Sequence, residues 1–104
     1  MPALPNPTLV PVDTVHAFAE PPSVLVPGAP TGPLAGTGLG VKALIDVEGV
    51  VTTAGSPDFA RGRPPALRSA PCVAALVAAG AAVVGITVGA EMAFSLSGRN
   101  VHFP

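Results

Sequence analysis

The chain has 104 residues, a formal net charge of −1 and only 11% charged residues, against roughly 25% in an ordinary soluble domain. That length allows one small domain, and that charge gives no reason to expect attraction to nucleic acid or to an anionic membrane surface. Twelve glycines and fourteen prolines touch the lower edge of the low-complexity range, yet Leu, Ile, Val and Phe, at roughly 29%, stay above the floor of about 20% for disordered chains.

Residues 1–35 carry nine of the prolines. Proline removes a backbone donor and fixes φ, so neither a long helix nor a central strand fits here. The expectation is an extended arm lying across another part of the protein. Asp13 to Glu20, DTVHAFAE, is its proline-free exception, suited to one helical turn or a short strand. The start, MPALPNPTLVPVD, has no basic region and is broken by prolines, so it is no secretory signal. A cytoplasmic location is the default expectation.

Residues 36–104 hold the order-promoting part. Leu39 to Ile45 alternates: Leu39, Val41, Ala43 and Ile45 point one way, and Gly40, Lys42 and Leu44 the other. Asp46 to Gly49 reads as a turn, Val50 to Thr53 as a short β-rich segment closing into the loop AGSPD, and Phe59 to Arg68 as exposed loop. Ser69 is a candidate helix cap with Pro71 in the first turn. Val73, Leu76 and Val77 make an apolar stripe, and Gly80 ends the helix. Ala82 to Thr87 follows as a second strand. Strand, crossover helix, strand predicts parallel pairing and a right-handed crossover. There is no internal repeat. A lone βαβ unit leaves two long unpaired strand edges and one bare face, which is the look of the first part of a larger α/β protein.

Several features suggest chemistry and then fail on spacing. GTGLGVKA from Gly36 matches neither the phosphate-binding loop nor the dinucleotide fingerprint, because the lysine does not follow a glycine and the third glycine comes one position early. Ala70 to Ala90 is charge-free and long enough to span a bilayer, with Gly85 and Gly89 at GxxxG spacing. The stop at Gly80 and the switch to β-branched residues split it in two, which argues against a membrane span. His16, His102 and Cys72 form no zinc spacing, so no metal or cofactor is expected. The lone cysteine excludes an internal disulfide. Ser56 lacks the G-x-S-x-G context of a nucleophile elbow, and Glu91 has no second carboxylate beside it.

Lys42 remains, the sole lysine of the chain, set between Val41 and Ala43 where apolar packing is expected. It reads either as an edge-strand lysine that blocks strand addition, or snorkels to water, or is a buried amine held as a base. Asp46 shares its face but lies four residues on, roughly 13 Å away along a strand. Burial without a partner would disfavour the ammonium form and lower the pKa. A neutral lysine can accept a proton.

The stretches GPLAGTGLGVKALIDVEGVVTTAGSPDF and AAGAAVVGITVGAEMAFSLSGRNVHFP resemble, in order, two motifs of the amidase signature family. The family pattern runs GPL-G, VKD-ID--G--TTAGS, then AGA--VGKT--DE-AFS--G-N-HYGTP, and the match covers roughly residues 32–104. The resemblance implies an α/β/α fold around a large mixed sheet, of which this chain holds the first βαβ portion and the arm. It also implies hydrolysis of small-molecule carboxylic amides by a Ser–cis-Ser–Lys triad without a cofactor. The family lysine falls on Lys42, whose implied role is general base toward a bridging serine. Ala43 replaces the family aspartate, Ile86 the lysine of GKT, and Ala90 the acid before Glu91. The serine-rich segment that carries both catalytic serines and the oxyanion loop is not among these residues, so the expectation is a chain inactive alone that pairs with the remainder of an amidase, with homodimerisation also open. The competing expectations are a non-catalytic remnant or interaction module docking through strand edges, and a small membrane protein.

Overall fold

The computed structural model describes residues 9–89, 100 and 102. The elements run β1 (Gly38–Lys42), α1 (Pro57–Ala60), α2 (Pro71–Ala78) and β2 (Ala82–Thr87). Among the described residues β1 and β2 make one two-stranded sheet, and the pairing is parallel, as the strand–helix–strand order predicts.

Alternation sorts the two faces. Val41 and Ala43 are buried while Gly40, Lys42 and Leu44 are exposed. Leu39 pairs with Val83, and then the register slips so that Gly40 pairs with Gly85 and Lys42 with Thr87. Val84 is the extra residue of this bulge. The slip lets two consecutive valines bury on opposite faces. Val83 joins the core with Val41, Val47 and Val73. Val84 turns to the other face, its Cγ2 3.3 Å from where a β-carbon on Gly38 would stand. A fully buried valine side chain contributes about 1.5–3 kcal/mol, so this small cluster is the main apolar store of the fold.

Helix α2 opens on Pro71, but its cap is Ala70, which makes no side-chain capping bond. Ser69, the expected cap, instead accepts a hydrogen bond from the Glu48 N–H at 3.0 Å and ties the loop after β1 to the helix start. Val73 is buried and Val77 packs against the core, whereas Leu76 is 38% exposed. The inward stripe is thus the i, i+4 pair alone, because eight residues give too little helix to turn a third position under the sheet. Gly80 ends the helix at φ +111°, and a β-carbon there would strike the Ala35 backbone. That is a conformation and a closeness only glycine tolerates.

The arm covers β2. The N–H of Ala19 donates to Ile86 O, that of Ser23 to Val84 O, and those of Leu25 and Val26 to Val83 O, while Val83 N–H donates to Val26 O. Pro21 and Pro22 fall between the donors Ala19 and Ser23, and Pro27 follows the last donor, Val26, so a proline-rich segment borders β2 through isolated bridges without losing a needed N–H. The expected second bare edge is therefore closed, and the ring of Phe18 covers part of the face opposite α2, over Gly40 and Gly85. Val50 to Thr53, expected as a β segment, forms no strand. Its neighbourhood is pinned by Gly49 N–H to Ala66 O and Ala66 N–H to Val50 O, one isolated bridge in place of a ladder.

Candidate functional site

Lys42 is the last residue of β1, and its partner Thr87 is the last of β2. The lysine therefore stands at the carboxyl edge of a parallel sheet, where open α/β sheets place their ligands. Its side chain is exposed, contrary to the expectation of a dry amine. The physical reason is its face: alternation puts it with Gly38 and Gly40, and the groups packed there, Val84 beside Gly38 and Thr87 and Phe18 beside Gly40, leave the end of the strand open. Asp46, weighed as a partner, accepts a hydrogen bond from Thr52 Oγ1 at 2.5 Å. Among the described residues the ion pair present is Arg61–Asp58, on the exposed side of α1.

Three loops meet beside Lys42. Immediately after β1, Ala43 N–H donates to Thr87 O, and Ala43 O accepts from Ala54 N–H at 3.0 Å. The TTAGS loop is thus stitched to the end of the strand. Ala54 (φ +50°) and Gly55 (φ +73°) form a left-handed pair that reverses the chain. Ala43 is buried, so its departure from the family aspartate places a methyl group in a closed position. Ile86, the departure at the family's second lysine, is half-buried against the core. Ala90 and Glu91 lie outside the described residues.

Asn100 joins these pieces, and the sequence reading did not single it out. Its Nδ2 donates to Gly55 O at 2.7 Å and to Gly89 O at 2.9 Å, and its Oδ1 accepts the His102 N–H at 3.0 Å. The residue is 8% exposed, with both donors used. Gly89 in turn underlies Lys42: a β-carbon there would lie 3.2 Å from Lys42 Cε.

Ser56 is buried, but its Oγ accepts the Phe59 N–H as the cap of α1, the loop role expected for it. His16 and Cys72 are exposed, and among the described residues no cluster of His, Cys, Asp and Glu could hold a metal. No described helix is long and apolar enough to cross a membrane. A cavity of about 450 Å³ lies between the arm and the TTAGS loop, lined by Ala19, Leu25, Val50, Thr53, Ser56 and Ile86 among others, and Lys42 is not in its wall. The backbone N–H groups of Phe18 and Ala17 point at Asp13 and hold its pKa below the ordinary value.

The profile of the family described as Amidase matches residues 13–104. The chain is 44% identical over 71 residues to Amidase 1 of Oryza sativa subsp. japonica, covering 68% of this chain and 16% of that protein. It is 42% identical over 83 residues to translocon at the outer membrane of chloroplasts 64 of Pisum sativum, covering 80% and 14%. It is 44% identical over 71 residues to the 1-carboxybiuret hydrolase subunit AtzE of Pseudomonas sp. (strain ADP), covering 68% and 15%. Among solved structures, the inhibitor-bound form of a vestigial protein complex, described as revealing the origins of an s-triazine catabolic enzyme, superposes with a TM-score of 0.65 at 42% identity. It covers 70% of this chain and 16% of that one. The chain thus spans 14–16% of the length of the curated relatives it matches.

Proposed function

The chain belongs to the amidase family, and from that premise we propose that it forms the N-terminal part of an enzyme hydrolysing the C–N bond of small carboxylic amides, with Lys42 as general base. The observation that carries this reading is the position of Lys42, at the carboxyl end of β1 beside Thr87 and against Gly89. An amine here faces the open side of the sheet, reachable by groups from a longer polypeptide.

In the proposed reaction the neutral Lys42 amine takes the proton of a bridging serine hydroxyl. That serine takes the proton of a second serine, whose oxygen attacks the amide carbonyl. Backbone N–H groups stabilise the negative charge that develops on the carbonyl oxygen. The C–N bond breaks, the amine leaves with a proton, and water releases the acid. Both serines and the oxyanion donors belong to sequence outside this segment.

The test supplies the chain to the remainder of rice Amidase 1 lacking its matching segment, with ammonia release from a simple amide such as propionamide as readout. The wild-type chain should restore hydrolysis and Lys42→Ala should not. Equal hydrolysis with Lys42→Ala would overturn the role given to the lysine. A second reading is a non-catalytic interaction module. It is favoured by the match to a chloroplast translocon protein, which extends over 80% of this chain. Tight association with the remainder but no hydrolysis by any variant would select it.

A further inference from the structure

We propose that Asn100 is a positioning residue for Lys42, acting through Gly89; this rests on the reading of Lys42 as the working base. The chain of contact is short. The carboxamide of Asn100 is more than nine-tenths buried and spends both Nδ2 hydrogens on main-chain carbonyls, one from the TTAGS loop at Gly55 and one from Gly89 beyond β2. Its Oδ1 holds the His102 N–H, so the side chain is fixed at every polar atom and cannot rotate without losing a bond. Those two carbonyls lie 34 residues apart in sequence (Gly55 to Gly89), and the amide bridges them.

Gly89 is the floor on which the Lys42 side chain rests: a β-carbon there would lie 3.2 Å from Lys42 Cε and 3.9 Å from its Cγ, so a methyl would push the lysine stem off its present path by a few tenths of an ångström. The far end of Lys42 is exposed and has four rotatable bonds. Its location is thus set by the surface beneath it, and the height of that surface is set by Asn100. An apolar residue at 100 would leave both carbonyls without this donor and let Gly89 move relative to β1. A general base works only when its nitrogen lies within hydrogen-bond reach of the hydroxyl it serves, so a clamp that fixes the floor also fixes the reach.

The experiment reads the placement of Lys42 without reading catalysis. Lys42 and the α-amino group are the two primary amines of the chain. Acetylation by an N-hydroxysuccinimide ester, followed across a pH series by mass spectrometry, gives the Lys42 rate relative to an internal reference. Gly89→Ala and Asn100→Ala should each change that ratio roughly three-fold or more, as expected for a displaced rotamer, with far-UV circular dichroism unchanged. The double variant should match the single ones, because both act on one floor. An unchanged ratio in either folded variant overturns the proposal. Should Asn100→Ala not fold, Gly89→Ala decides: the chain has two asparagines and no glutamine, so the Asn100 side-chain amide resonances are readily assigned. They must move together with the Lys42 rate, and a still Asn100 signal overturns the clamp. Because hydrolysis is not measured here, loss of this proposal leaves the catalytic reading standing. Undiminished turnover by Lys42→Ala would instead remove the catalytic reading and leave the placement result intact.

Discussion

The ring of Phe18 fills the place where a β-carbon on Gly85 would stand. Gly85 and its register partner Gly40 together make a bare strip on the sheet, and the arm closes over that strip by laying an aromatic side chain on it. Gly85→Ala is therefore expected to expel Phe18 and destabilise the chain by about 1–3 kcal/mol, the usual cost of overpacking. Gly40→Ala meets the Phe18 ring only at 3.4 Å and Thr87 Cγ2 at 3.1 Å, and should cost less. Urea midpoints for the two variants check the order. Equal or reversed costs would mean that Phe18 is not the element seated there.

The backbone of the same aromatic residue is held by Asp13. The carboxylate accepts the N–H of Phe18 at 2.9 Å and of Ala17 at 2.8 Å, and these bonds lower its pKa from 3.8. A depressed folded-state pKa contributes stability that is fully present above the unfolded value and disappears as pH falls through the folded one. The arm should therefore loosen below about pH 4, seen as a pH-dependent shift of the Ala17 and Phe18 amide protons. Asp13→Asn should remove that titration step while the rest of the chain responds as before. Retention of the step in Asp13→Asn would assign it to another group.

What the sequence revealed and what it hid separate along physical lines. β2, α2 and the two faces of β1 rest on periodicities of a few residues, and these were readable, as was the stop at Gly80. Val50 to Thr53 had the right residues for a strand and lacked a partner; its backbone bonds go to Ala66 and within its own turn, so propensity gave way to pairing. The arm's pairing along β2 was hidden because prolines argue against strands in general, while these fall at positions where no N–H is required. Lys42 was placed on the correct face by alternation, but its exposure depends on what covers that face, which five strand residues do not encode. Asn100 falls on the asparagine of the G-N-H stretch in the family pattern, but its role was hidden because its carbonyl partners lie 45 and 11 residues away and a single amide has no local pattern that names them.

Helix α2 begins without a side-chain cap. Ala70 occupies the cap position at φ −55° and ψ 149°, with Pro71 next, and Ser69 is already committed to Glu48. Ala70→Ser or Ala70→Asp should supply the missing acceptor for the first-turn N–H groups and stabilise the chain by about 0.5–1 kcal/mol. The backbone N–H of residue 70 would keep its bond to Asp46 O. A rise in thermal midpoint checks this, and a fall would show that the half-buried site has no room for a polar side chain.

Lys42→Arg separates charge from proton transfer. Arginine keeps the positive charge and reaches a similar distance, but it does not lose its proton in proteins. If the residue at 42 only attracts a substrate or pairs with a carboxylate, arginine should preserve most of the hydrolysis restored in the complemented enzyme. If it removes a proton from a hydroxyl, arginine should be nearly as poor as alanine, with a loss on the order of 10²–10⁴-fold in kcat, the usual contribution of general-base catalysis. The expected result is the second, because Lys42 has no described carboxylate within ion-pair distance and its nearest identified contact is the neutral surface of Gly89.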